Sequence, residues 1–325
     1  MHGKYWLLKA TAKLEKAEIG TARLDCLVLL EDATGKERGW LLAHPEFELD
    51  EKLVKKLDKQ IKLRATHEPL AYIRHKTEFY GRGFYIDHRV LEPRPESETM
   101  IELLKSALSG HSSEGWNLVK KEIPINKRDP SLRWDDTREG DMTIVDLGTG
   151  SGALAITAKL EFPAATVIAT DIDEKCLDVA RQNAKTFGAD IEFLSGDLLE
   201  PFGNEERGMK NEGSHFSLLH SPFTILANLP YVPDHFQINP AAMAEPRIAI
   251  FGGPDGLDLY RKFFKQLKAL KQKPQFIFTE CMPPQQEALA EIAKSAGFKL
   301  SQTDDFIQVF TPSSFPRRRE SSKKE

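Results

Sequence analysis

Two short stretches of this 325-residue chain carry residue types at spacings suited to chemistry. The first is Asp146-Leu147-Gly148-Thr149-Gly150-Ser151-Gly152, which follows the apolar run MTIVDL and opens the helical pattern SGALAITAKLEF. Glycine is needed where backbone turns sharply from strand to helix, and where a ligand must touch main chain without meeting a Cβ. Asp171 stands 19 residues after Gly152 and closes the next apolar run, TVIATD. A carboxylate there can accept both hydroxyls of a ribose, with an adenosine-type ligand lying across the carboxyl ends of neighbouring strands. Three readings of the loop stay open. Gly148-x-Gly150-x-x-Ala153 satisfies the dinucleotide fingerprint, and a tight turn needs no ligand at all. The acid at 146 and a third glycine at 152 suit S-adenosylmethionine, whose ammonium and sulfonium bring positive charge to the loop where a dinucleotide brings a pyrophosphate. Asp197, in LSGDLL, is placed either to bond an adenine amino group or to serve as a plain turn residue.

The second stretch is Asn228-Leu229-Pro230-Tyr231, after the apolar run FTILA. It suits methyl transfer to a planar nitrogen. The lone pair of an amide or aromatic amine is delocalised, and two acceptors on its N–H bonds favour a pyramidal nitrogen that can attack. Asn228 offers one acceptor and a nearby backbone carbonyl the other. Tyr231 supplies a flat wall for the target group, and Pro230 stiffens the loop.

The elements that position these stretches come from periodicity. Residues 4 to about 66 read as helical, with Asp50 as N-cap and Leu53, Val54, Leu57 and Ile61 on one face of a helix. Gly35 and Pro45 close two shorter amphipathic pieces, for a helical bundle of 65 to 75 residues. TEFYGRGFYID reads as a hairpin around Gly81-Arg82-Gly83, and Pro93-Arg94-Pro95 punctuates the chain. From about 143, strands and helices alternate, the pattern of a mostly parallel sheet covered by helices; KLSQTDDFIQVFTP supplies a closing pair of strands. The polar stretches 109–141 and 203–221 read as surface insertions, and the basic tail 313–325 as disordered.

Composition excludes other classes. The net charge is −4, against wholesale binding of a phosphate backbone, and no apolar run approaches the ~20 residues of a membrane span. The N-terminal segment spreads lysines among its apolar positions, unlike a signal peptide. Three widely spaced cysteines fit a reducing, cytoplasmic setting, and nine histidines form no metal-ligand cluster, so no metal is expected. Glu245 and Arg247 follow the tetrapeptide and either orient its loop or, the stronger reading, form a surface ion pair.

Taken together, the motifs resemble the protein-(glutamine-N5) methyltransferases that modify peptide chain release factors. The resemblance runs to about residue 312. It is carried by RLDCLVLLEDATGKERGWLLAHPE, HEPLAYI, EFYGRGFYIDHRVLEPRPESE, VDLGTGSGALAI, ATDIDEKCLDVARQNA, ANLPYV and EPRIAIFGGPDGLDLYR. It implies an α/β fold: a seven-stranded, Rossmann-like S-adenosylmethionine-dependent methyltransferase domain over 91–312. Before it come a helical substrate-recognition domain over 1–76 and a hairpin linker over 77–90. It implies cofactor contacts at Gly148, Thr149, Gly150, Ser151, Gly152, Asp171, Asp197, Leu198 and Asn228. Asn228, Leu229, Pro230 and Tyr231 would hold the target glutamine and catalyse its methylation, with Arg94 and Pro95 of the linker also on the substrate side. The implied partner is the Gly-Gly-Gln loop of a release factor, met by a monomer with no membrane and no nucleic-acid substrate. The alternatives are a ribosomal-protein glutamine and an adenine amino group, since adenine-N6 enzymes share the tetrapeptide's logic. Three positions depart from the family pattern: Leu229 in place of Pro, Glu92 in place of an apolar residue, and Ser97 in place of Thr. If Leu229 contributes only its carbonyl, its change costs rigidity and not chemistry.

Overall fold

The computed structural model describes residues 1–109, 142–202, 222–239 and 242–313. The insertions and the basic tail therefore fall outside the described residues, apart from Ser109 and Ser313. The chain divides into two compact units: Met1–Glu78 with Gly83–Glu92 and Gln237–Arg247, and Phe79–Arg82 with Pro93–Phe236 and Ile248–Glu325.

The first unit holds helices α1 (Gly3–Lys16), α2 (Ala22–Thr34), α3 (Arg38–Ala43), α4 (Glu51–Arg64) and α5 (Leu70–Arg74). Asp50 caps α4, its carboxylate accepting from the Leu53 backbone at 2.7 Å. Gly35 ends α2 in the left-handed conformation. Leu57 and Ile61 meet Trp6, Leu14, Cys26 and Leu29 in one apolar core, while Leu53 and Val54 are only partly covered at its edge. Two polar links lace it: Trp6 Nε1 donates to Asp58 at 2.9 Å and Arg64 to Asp25 at 2.6 Å. Glu245 is 5% exposed, which corrects its reading as half of a surface ion pair.

Strands β1 (Thr77–Phe79) and β2 (Arg82–Phe84) form the hairpin. Its turn is Tyr80-Gly81, with φ of 52° and 67°, one residue earlier than the glycines suggest. The tip is fastened within the second unit. Tyr80 N donates to Glu98 at 2.7 Å and Arg82 to Glu161 at 2.6 Å, while Lys105 donates to the Tyr80 hydroxyl at 3.0 Å. Glu98 opens α6 (Glu98–Ser109), a helix the sequence reading passed over; it buries Met100, Ile101 and Leu104.

The second unit is a seven-stranded sheet. In chain order its strands are β3 (Thr143–Leu147), β4 (Thr166–Asp171), β5 (Glu192–Ser195), β6 (Phe223–Ala227), β7 (Phe276–Glu280), β8 (Phe298–Asp304) and β9 (Ile307–Pro312). Across the sheet the order is β5-β4-β3-β6-β7-β9-β8; the first five are mutually parallel, and β9 runs antiparallel to both its neighbours. Helices α7 (Ala153–Glu161), α8 (Glu174–Phe187), α9 (Asp258–Ala269) and α10 (Gln286–Ser295) are the crossovers. This is the expected α/β class, and β3 and β6 are buried along their whole length, as interior parallel strands must be.

The core under α9 is aromatic. Phe264, 1% exposed, meets Phe263, Phe298 and Phe310 at centroid distances of 5.0, 6.0 and 5.8 Å. Phe264→Ala is expected to destabilise the protein by about 3–5 kcal/mol, read as a shift of the urea unfolding midpoint. A change below about 1 kcal/mol would mean the core closes over the gap.

Candidate functional site

Both motifs stand at the carboxyl edge of the parallel strands. After β3 the chain turns back so that the Gly148 and Thr149 N–H groups both donate to Thr170 O at 2.9 Å. Gly148, Gly150 and Gly152 have φ of 70°, 54° and 82°, values that L side chains resist. A Cβ on Gly152 would lie 3.0 Å from Ile156 Cδ1 and 3.1 Å from Ala180 Cβ, so this glycine lets α7 sit close against α8. A Cβ on Gly150 would meet nothing within 4 Å. That backbone faces open space, as a ligand cradle requires.

Two carboxylates hold the loop. Asp146, 1% exposed, accepts from the Thr149 hydroxyl at 2.7 Å and from Ala155 N at 3.2 Å; burial pushes its carboxyl up to about 7. Asp171, 9% exposed, accepts from Gly150 N at 2.9 Å and Asp173 N at 3.0 Å, and burial raises it too. Each of its oxygens keeps a lone pair for a hydroxyl. Asn183, on α8, donates to Ser151 O at 2.8 Å and steadies the far side of the loop. Asp197 is differently engaged: its carboxylate is in direct contact with the Lys262 ammonium. Its turn is held by Gln266, which accepts from Leu199 N at 2.9 Å, and Leu198 takes a φ of 57°.

The tetrapeptide begins one residue beyond β6. Leu229 is 2% exposed and belongs to the main core; its Cδ2 lies 3.4 Å from where a Gly148 Cβ would stand. The side chain thus packs the tetrapeptide against the glycine loop, so Leu229 adds core packing to whatever its carbonyl contributes. The Pro230–Tyr231 backbone is gripped by the segment that follows. Val232 N donates to Ile250 O at 3.0 Å, and Gln285 Nε2 donates to Tyr231 O and to Asp255 O at 2.7 Å each. A Cβ on Gly252 would stand 2.3 Å from Pro230 O, and one on Gly256 2.0 Å from Tyr231 O. Only glycine fits at either position.

Arg94 and Pro95 lead into a single 3-10 turn, Pro95–Ser97, closed by Ser97 N on Arg94 O at 3.1 Å. This turn brings Ser97 to the tetrapeptide: Asn228 Nδ2 donates to Ser97 Oγ at 2.8 Å, and Ser97 Oγ donates to Glu280 Oε2 at 2.6 Å. Tyr231 donates to Glu280 Oε1 at 3.0 Å. Glu280 ends β7, is 0% exposed, and is pushed up to about 7 by burial, against the lowering effect of the Ser97 and Tyr231 hydroxyls and of the Asn228 amide. The Tyr260 hydroxyl sits 3.0 Å from Ala227 O and 2.5 Å from Glu280 O, bridging the ends of β6 and β7. Asn183, Glu280 and Gln285 have no reading from the sequence, and Ser97 stands out there only as a departure from the family pattern. Of the first three, Glu280 alone left a signal there, an acid closing the apolar run QFIFT. Among the described residues no group of three or more His, Cys, Asp or Glu could hold a metal ion.

Comparison with known proteins adds family membership. A family model for the PrmC N-terminal domain matches residues 5–74, and one for ribosomal protein L11 methyltransferase (PrmA) matches 131–205. A bifunctional methyltransferase of Rickettsia conorii is 30% identical over 315 residues, 94% of this chain but 56% of its own length. The chain thus spans little more than half of that relative. Release factor glutamine methyltransferases of Bacillus cereus and Bacillus subtilis are 30% and 31% identical, over 83% and 78% of this chain and 82% and 76% of their own. Among solved structures, a ribosomal protein L11 methylase from Lactobacillus delbrueckii aligns over 52% of this chain and 69% of its own, at 19% identity and a TM-score of 0.34, too weak a likeness to argue from. On the strength of the Bacillus relatives, the chain belongs to the release factor glutamine methyltransferase family.

Proposed function

We propose that the protein transfers a methyl group from S-adenosylmethionine to the side-chain amide nitrogen of a glutamine, the one in the Gly-Gly-Gln loop of a peptide chain release factor. The observation that carries this reading is Asn228, set directly beyond β6 with its neighbouring Leu229 against Gly148. An amide acceptor therefore stands beside a glycine cradle.

The cradle fits the cofactor. Gly148, Thr149, Gly150, Ser151 and Gly152 offer main chain with no Cβ in the way at 150, Asp171 offers acceptors for the ribose hydroxyls, and buried Asp146 braces the loop through Thr149 and Ala155. Asp197 and Leu198 complete the set on the adenine side, with Lys262 holding the Asp197 carboxylate in place. When bound, S-adenosylmethionine supplies an electrophilic methyl group on a sulfonium.

The chain's own residues do the rest. Asn228 Oδ1 accepts one N–H of the glutamine amide and a tetrapeptide carbonyl accepts the other. This localises the nitrogen lone pair and aims it at the methyl carbon. S-adenosylmethionine held by Gly148–Gly152 and Asp171 would give up its methyl group there and leave as the neutral thioether, and the glutamine nitrogen aligned by Asn228 would release its proton to water. Tyr231 would supply a flat wall for the target group, and Arg94 and Pro95 of the linker turn would add to the substrate side. The helical unit, before residue 76, is the natural surface for binding a protein substrate remote from the reacting nitrogen.

Incubation with labelled S-adenosylmethionine and separate pools of release factor, ribosomal protein and DNA tests the reading. Label is expected on release factor, at the glutamine of Gly-Gly-Gln by mass spectrometry; label on ribosomal protein or DNA alone would replace this substrate with another. Asp171→Ala is expected to weaken cofactor binding by about 1–3 kcal/mol, the cost of removing an acceptor from buried hydroxyls; unchanged affinity by calorimetry would take Asp171 out of the site. Asn228→Ala is expected to lower turnover about a hundred- to a thousandfold, with release-factor binding little changed. Turnover within about threefold of wild type would show that its side chain does not hold the reacting amide.

A further inference from the structure

We propose that Ser97 and Glu280 are positioning residues that fix which way round the Asn228 amide sits, so that its carbonyl oxygen, and not its NH2, faces the target nitrogen. This role rests on the functional reading above.

The two ends of an asparagine amide have nearly the same shape, and only their hydrogen-bond partners tell them apart. Were the NH2 turned toward the substrate, a donor would face the donor N–H of the glutamine and the reacting nitrogen would lose its acceptor. Something must forbid that orientation, and the chain of bonds behind Asn228 does so. An ionised carboxylate accepts only. Glu280 Oε2 therefore draws the single Ser97 hydroxyl proton along their 2.6 Å contact. Having donated that proton, Ser97 can offer Asn228 only lone pairs. The group it meets at 2.8 Å must then be the Asn228 NH2, as observed. Turning the amide over would press the Asn228 carbonyl against an oxygen with no proton left to give.

The other carboxylate oxygen does parallel work, accepting from the Tyr231 hydroxyl at 3.0 Å. One buried acid thereby orders both polar side chains of the tetrapeptide. The three contributors, from the linker turn, from the end of β6 and from the end of β7, lie 131 and 183 residues apart along the chain. Nothing in the packing of an apolar core requires them to meet.

The polarity depends on Glu280 being charged. Protonated, the carboxyl becomes a donor itself and can no longer accept from both hydroxyls. Besides Ser97, Asn228 and Tyr231, Glu96 beside the turn raises it further, and Tyr260 and Cys281 pack against the same strand end. Burial holds the carboxyl up at about 7. The ordered arrangement is thus complete above that pH and lost as pH falls through it.

The test compares wild type, Ser97→Ala, Ser97→Thr and Glu280→Gln with release factor as substrate, at saturating cofactor. Calorimetric S-adenosylmethionine affinity serves as the check on folding. Ser97→Ala is expected to lower kcat about tenfold or more, with KM and cofactor affinity within about threefold. Ser97→Thr, which keeps the hydroxyl, is expected to restore kcat to within about threefold. The kcat of wild type is expected to fall as pH drops through about 7, and this limb should be missing in Glu280→Gln, whose slower turnover stays flat. Full kcat in Ser97→Ala would overturn the role, as would a Ser97→Thr enzyme no better than the alanine variant, since packing would then be what matters. A wild-type enzyme that leaves release factor unlabelled would defeat the functional reading itself, a different outcome from an active wild type with indifferent variants.

Discussion

Because β3 pairs in parallel with β4 on one side and β6 on the other, three chain segments leave the sheet at the same edge, side by side. Everything proposed for the site depends on that arrangement. The glycine loop leaves β3, Asp171 ends β4, and Asn228 follows β6 directly. β7, next to β6, delivers Glu280 to the same edge. Sheet order alone therefore gathers a nucleotide-type cradle and an amide acceptor without any long excursion of the chain, at the crevice where open α/β sheets receive ligands.

Such an edge carries a physical cost. Strand ends are buried on both faces, so polar groups placed there lose water and must find partners. Asp146 and Glu280 are both nearly inaccessible and both pushed up to about 7. Each is answered by hydroxyl or amide donors, in contrast to the surface pair of Arg261 with Asp255, which solvent screens. The two buried acids serve different halves of the site: one braces the glycine loop, the other the tetrapeptide. Leu229 joins the halves through apolar contact with Gly148. The glycine loop and the tetrapeptide are therefore joined by a core side chain as well as by the sheet.

How much of this was legible in the sequence follows from where each requirement acts. Glycines at positive φ, an acid closing an apolar strand, and Asn-Leu-Pro-Tyr after another strand are local demands, and each leaves its mark within a few neighbouring residues. The parallel sheet was legible for the same reason, as was the Asp50 cap. Gln285 leaves no such mark, because what makes it useful is a partner far along the chain, Tyr231 across 54 positions; Ser97 shows only as a departure from the family pattern, without its partners. Helix α6 was hidden behind Pro93-Arg94-Pro95, which reads as a break, although Met100, Ile101 and Leu104 carry a helical spacing. Leu229 shows in the sequence for its backbone beside Asn228, and its place in the core does not show there, because that depends on Gly148 and the sheet. Spacing leaves Asp197 open between an adenine acceptor and a plain turn residue, and its contact with Lys262, from α9, is beyond what spacing shows.

The central claim is that Asn228 holds the glutamine amide through its carbonyl oxygen beside the glycine cradle. A crystal structure of the protein with S-adenosylhomocysteine and a peptide containing Gly-Gly-Gln tests it most directly. The account predicts the glutamine side-chain nitrogen about 3 Å from Asn228 Oδ1, with Ser97 still on Nδ2 and the cofactor sulfur facing that nitrogen from the loop after β3. A glutamine seated away from Asn228, or an Asn228 amide meeting the substrate through its NH2, would contradict it.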